Sequence, residues 1–141
     1  MGPTEAGFVF GNALLGAPFQ VHLISVEYQA DELLDRIAQI HEDIARLIGR
    51  DDVGFNRDAV TVHMEYLGNG YNQPTEACEQ AILHFARVEG ILLEHTYTGK
   101  TFAGLLDLVR SGLFNDDEPA CVIHTGGTAA LFSQMEMFKT L

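Results

Sequence analysis

Two short polar corners set the limits on what this chain can fold into. Tyr97-Thr98-Gly99-Lys100 follows the apolar run Ile91-Leu92-Leu93, and Thr125-Gly126-Gly127 follows Cys121-Val122-Ile123. Each corner closes an apolar run and opens a helical pattern. In an open α/β sheet, that is where a ligand sits, outside the carboxyl ends of the strands. The paired glycines of the second corner permit positive φ and a close approach of backbone to a ligand. The residues between Gly90 and Leu131 therefore read as a site.

The remaining sequence alternates strand and helix patterns. Thr4 to Leu15 reads as a helix with Thr4 as N-cap, Glu5 in the positive first turn and Gly16 as its stop. Gly7 and Gly11 would give it a flat face for close packing on a strand. Phe19 to Val26 alternates as a buried strand. Asp31 to Ile48 is the clearest helix, with Leu33, Ile37, Ile40, Ile44 and Leu47 on one stripe and Gly49 as C-cap. His41 falls on its surface or boundary. Val60 to Tyr66 alternates again as a strand, and residues 68–74 carry a long turn signal.

Thr75 caps a helix to Val88 whose inner face is Ala77, Ala81, Phe85 and Val88. Lys100 to Gly112 is a further helix, with Phe102, Leu105, Leu106 and Val109 inward. Residues 115–119 form an exposed turn before a strand at 120–124, and Gly127 to Phe132 opens a last helix. The expected architecture is α/β: an open, mostly parallel sheet of strands near 20–26, 59–66 and 119–124, with helices packed on it. No repeat, linker or low-complexity stretch divides the 141 residues, so one unit is expected.

Composition narrows the partners. The chain has 20 acidic against 8 basic residues, a formal charge of −12, which argues against nucleic acid and anionic membrane surfaces. No apolar run approaches the roughly 18 residues of a membrane span. No Lys or Arg precedes Arg36, so a secretory leader is not expected, and a cytoplasmic setting is. Cys78 and Cys121 form no CxxC pattern, which points to reduced thiols. His63 and Glu65 share one strand face, but nothing nearby supplies further ligands, so no metal is expected.

Tyr97-Thr98-Gly99-Lys100, Ala103-Gly104-Leu105 and Ile123-His124-Thr125-Gly126-Gly127 together resemble the D-cysteine desulfhydrase and 1-aminocyclopropane-1-carboxylate deaminase family. The likeness runs back through Gly70-Tyr71 and Pro74 to Gly2-Pro3-Thr4-Glu5-Ala6-Gly7. These are pyridoxal-phosphate enzymes of the tryptophan-synthase-β fold type. The match is to the C-terminal part of a family member. The half that carries the Schiff-base lysine has no counterpart in these residues.

The resemblance implies roles. Tyr97 and Tyr71 are the catalytic candidates, facing a small amino-acid substrate. Thr98, Thr125 and Gly126 would stand around the cofactor ring, with Gly2 and Thr4 at the end of a phosphate loop. Pro3 supplies no N–H there, so the phosphate site is at best partial and cofactor binding is expected to be weak or absent. Asn72 stands where the family has glycine, a mild change because Asn tolerates the left-handed region. The deaminase branch has glutamate where this chain has Thr98, and a threonine suits β-elimination of a thiol better. Lys100 and Lys139 do not match the Schiff-base position, and His124 reads as structural.

The resemblance therefore implies the C-terminal portion of a lyase that yields pyruvate, sulfide and ammonia from D-cysteine, inactive alone. The deaminase branch and a non-catalytic interaction module are the alternatives. Self-association or a missing N-terminal half would complete the fold.

Overall fold

A computed structural model describes residues 1–114, 117 and 119–134. The chain packs as two compact units, Met1–Met64 and Glu65–Leu141, and each is described by itself. No change of composition marks the division, which is why the sequence reads as one unit.

The first unit is a βαβ arrangement preceded by a helix. Helix α1 (Pro3–Leu14) leads to strand β1 (Val21–Ile24), helix α2 (Ala30–Ile48) and strand β2 (Val60–His63). β1 and β2 pair in parallel, Val21 opposite Val60 and Ile24 opposite His63. A parallel pair needs a crossover of a dozen or more residues, and α2 is that crossover. Val21, Leu23 and Val60 on the sheet pack with Ala6 and Val9 of α1 and with Leu33, Leu34 and Ile37 of α2. Gly49 ends α2 in the left-handed region at φ 67°, the C-cap expected of it.

Several expectations change in this unit. Gly2, not Thr4, is the N-cap of α1: its N–H donates to Glu5 Oε2 at 2.7 Å, and Pro3 takes the first helical position. Gly7 and Gly11 face no neighbour within 4 Å, so they pack on nothing. His41 is buried at 1% exposure between the rings of Phe10 and Phe55. Leu47 is 85% exposed, off the buried face of α2 that Leu33, Leu34, Ile37, His41 and Ala45 form.

The second unit is helical. Helix α3 (Glu76–Val88) packs on α4 (Thr98–Arg110), and the short α5 (Thr128–Leu131) follows. Thr75 caps α3 as its sequence suggests, its hydroxyl oxygen accepting the Cys78 N–H. The core is Cys78, Ala81, Ile82, Leu93, Phe102 and Ala103, with the Phe85 ring edge-on to Phe102 at 4.7 Å. The inner face of α3 is thus turned toward Cys78 and Ile82. Ala77 is exposed, as are Val88 and Val109 in the last turns of α3 and α4.

The third strand is absent: residues 119–124 and the apolar run 91–93 belong to no strand, and the sheet has two strands among the described residues. A strand exists only with a neighbour to bond, and alternation alone does not supply one. The fold class is nevertheless α/β with a parallel sheet and flanking helices. No helix among the described residues is long and apolar enough to cross a membrane.

Candidate functional site

The second unit brings the two polar corners together, and a buried carboxylate joins them. Glu94 is 0% exposed, and three backbone N–H groups converge on it. Thr96 donates to Oε2 at 2.7 Å, while Tyr97 and Thr98 donate to Oε1 at 2.8 and 2.9 Å. These are the unpaired donors at the start of α4, so the helix is capped by a side chain that precedes it. Burial pushes the Glu94 carboxyl up, but the donors from Thr98, Tyr97 and Thr96 outweigh it and hold it below the ordinary range.

The second corner lies against the same side chain. Gly127 stands at φ 85°, and a Cβ there would come within 2.9 Å of Glu94 Cγ. Only glycine fits this approach. Gly126 is also left-handed, at φ 101°. The corner is braced by His124: the Gly126 N–H donates to its Nδ1 at 3.1 Å, and its Nε2 lies 3.1 Å from the Leu92 carbonyl oxygen. A neutral ring with its proton on Nε2 satisfies both contacts, which is the structural role expected of it.

Tyr97 and Tyr71 meet. Their hydroxyls share a hydrogen bond, and the rings are edge-on with centroids 5.8 Å apart. Both are partly exposed, at 36% and 45%, so the pair forms a surface wall. Asn72 follows at φ 57°, the left-handed conformation that makes asparagine an adequate substitute for glycine. Its Oδ1 accepts the Thr96 hydroxyl at 2.7 Å and lies 3.2 Å from His95 Nε2.

Thr98 is buried at 1%, its hydroxyl accepting the Glu94 N–H at 3.0 Å and donating to Glu94 Oε1 at 3.2 Å. Thr125 is exposed at the second corner. Gly99 packs where a Cβ would meet Cys78 Sγ at 2.6 Å and the Glu94 carbonyl oxygen at 2.8 Å. Burial pushes the Cys78 thiol up to about 12, which makes it a packing residue without nucleophilic character.

Gly2 and Thr4 belong to the first unit, at the start of α1. Lys100 is fully buried, and its Nζ donates to the carbonyls of Leu67 at 2.8 Å and Gly70 at 3.0 Å. Lys139 lies outside the described residues. Sequence reasoning missed Glu94, which reads as one more residue at the end of an apolar run. Its position four residues before Thr98, at the mouth of a helix, was the available signal.

Among the described residues no group of three or more His, Cys, Asp or Glu side chains could hold a metal ion. A groove of about 530 Å³ lies between α3 and α4, floored by Ala81 and Ala103 and rimmed by Tyr66 and Asp107. Its lining includes neither tyrosine of the pair, and the buried polar groups converge at the corners instead.

The fold and these corners define a class. A family model described as "Pyridoxal-phosphate dependent enzyme" matches residues 1–126, and the chain belongs to that family. It is 38% identical over 130 residues to the D-cysteine desulfhydrase of Yersinia pestis (strain Pestoides F) and 34% identical over 132 residues to that of Salmonella paratyphi C. Each match covers 92% of this chain and 38% of the relative. The crystal structure of an ACC deaminase homologue superposes with a TM-score of 0.79 at 28% identity, over 98% of this chain and 41% of that one. The chain thus spans about two-fifths of the length of the proteins it matches, in agreement with a resemblance to part of a family member.

The described residues do not make a complete cradle for pyridoxal phosphate. The cofactor needs an anion site and an amine. At the start of α1 the Gly2 N–H is already taken by the Glu5 carboxylate, Pro3 offers none, and that negative side chain disfavours a second anion at the helix start. The Lys100 amine is buried and held by two carbonyls.

Proposed function

We propose that this chain is the C-terminal portion of a D-cysteine desulfhydrase-like lyase and supplies the substrate-facing wall of its active site. The carrying observation is the contact of Tyr71 with Tyr97, residues 26 apart in sequence, at the start of α4. Relatives named D-cysteine desulfhydrase support the reaction class, a β-elimination that releases sulfide, after which water hydrolyses the resulting imine to ammonia and pyruvate. The wall would bind and orient a small amino acid and hold two hydroxyl protons beside it. Thr125 and Gly126 would border the same space from the second corner, with Thr98 behind it.

Thr98 favours this branch over the deaminase reading. Its hydroxyl is engaged with Glu94, and it carries no acidic group of its own. Cys78 and Cys121 are both free thiols, which suits a cytoplasmic setting.

Catalysis of this type requires a lysine amine that a second polypeptide segment would bring, so the chain alone is inactive in this reading. The test is complementation. Mixed with the lysine-bearing N-terminal segment of a relative, the chain should release sulfide from D-cysteine, and Tyr97→Phe should lower that rate by about 10²-fold or more. Sulfide release that is indifferent to Tyr97→Phe and Tyr71→Phe would overturn the assignment of the wall.

A further inference from the structure

Lys100 is a buried cation with no carboxylate partner among the described residues. The buried acid of this unit, Glu94, is committed to the N–H groups of residues 96–98. Burial accordingly pulls the Lys100 amine below its ordinary value. A methionine would fill the same space without the cost of desolvating a charge. What the lysine adds is a pair of directed hydrogen bonds, to the carbonyls of Leu67 and Gly70. Gly70 immediately precedes Tyr71. On the other side of Tyr71, Asn72 accepts the Thr96 hydroxyl. The loop bearing one tyrosine is therefore fastened on both flanks by donors from the segment that bears the other. Lys100 lies one helical turn after Tyr97, whose carbonyl accepts the Thr101 N–H at 3.0 Å.

We propose that Lys100 is a positioning residue: by holding the carbonyls of Leu67 and Gly70 it sets the Tyr71 hydroxyl against that of Tyr97. The relevance of that alignment to a substrate rests on the reading above. The alignment itself does not, so the two can fail separately.

The experiment uses the 141-residue chain labelled with 3-fluorotyrosine and followed by fluorine NMR. The four resonances of Tyr28, Tyr66, Tyr71 and Tyr97 are assigned by single Tyr→Phe substitutions. In the parent chain, Tyr71→Phe should move the Tyr97 resonance. In Lys100→Met the Tyr97 resonance should already be displaced, and adding Tyr71→Phe should move it no further. Tyr66, whose hydroxyl donates to Asp107 on α4 at 2.7 Å, serves as the marker of the folded unit and should stay in place.

Hydrogen exchange gives a second reading: amides 68–73 should exchange at least 10-fold faster in Lys100→Met while those of α3 keep their protection. Retention of the Tyr71–Tyr97 coupling in Lys100→Met would overturn the proposal. Equal loss of the Tyr66 marker and of α3 protection would also overturn it, by making Lys100 a residue of the fold alone. Neither measurement needs cofactor or substrate. A coupling that behaves as stated, with no sulfide release on complementation, would fail the lyase reading and leave this one standing.

Discussion

The Glu94 carboxylate accepts the backbone N–H of Thr98 at 2.9 Å while the Thr98 hydroxyl accepts the N–H of Glu94 at 3.0 Å. This reciprocal closure ties Glu94 to the first residue of α4, and it fixes the corner that carries Tyr97. Hydrogen bonds to a charged group contribute about 1.5–3 kcal/mol each, and buried donors left without a partner add their own cost. Glu94→Ala should therefore destabilise the second unit by about 3 kcal/mol or more. Urea unfolding followed through α3 and α4 checks it, and a loss under about 1 kcal/mol would contradict the role.

The same carboxylate gives an acid-side dependence. Its pKa is held below the ordinary 4.5 in the folded chain, so its stabilisation is fully present above that value. It is lost as pH falls through the lower, folded value, because the unfolded chain then binds the proton first. Unfolding of the parent chain should steepen below about pH 4.5, and Glu94→Gln should flatten that limb.

His41 gives a second dependence nearer neutrality. Burial between Phe10 and Phe55 lowers its pKa from the ordinary 6.5, and its Nε2 has no hydrogen-bond partner. The folded state keeps the ring neutral, so stability is present above 6.5 and falls as pH drops below it. His22, lowered by burial and by the adjacent His63, contributes with the same sign. His41→Leu should reduce, without abolishing, the loss of stability between about pH 7 and 5 measured by denaturant titration.

Glycines separate into two kinds here. Gly99→Ala would force a Cβ to within 2.6 Å of Cys78 Sγ and should cost about 1–3 kcal/mol. Gly11→Ala, in α1 with nothing within 4 Å, should stabilise the chain by about 0.5–1 kcal/mol. Thermal unfolding of the two variants should move in opposite directions, and a shift in the same direction would contradict the packing at Gly99.

The contrast between those glycines shows what the sequence carries and what it does not. Local signals were legible: the cap at Thr75, the stop at Gly49 and the turn tolerance of Asn72 depend on residues a few positions away. The pairing of Tyr71 with Tyr97 was legible only through the family resemblance. Residues 119–124 alternate like a strand, but a ladder partner is a property of the fold and is not written in the segment. His41 sits on a polar stretch of α2, and its burial comes from Phe10 and Phe55, which lie far from it in sequence. Glu94 and Lys100 were hardest to read, since a buried charge is recognisable only once its partners are in place.

On the proposed reading the chain carries a wall of a pyridoxal-phosphate site, and Lys100, the one lysine among the described residues, is not free to hold the cofactor. The most direct measurement is borohydride trapping. The purified chain is mixed with pyridoxal phosphate, reduced, digested and mapped by mass spectrometry, with sulfide release from D-cysteine followed in parallel. Lys100 should be labelled no more than in an unfolded control, and sulfide release should be no faster than with free cofactor. Stoichiometric labelling of Lys100, together with sulfide release that Lys100→Ala abolishes, would contradict it.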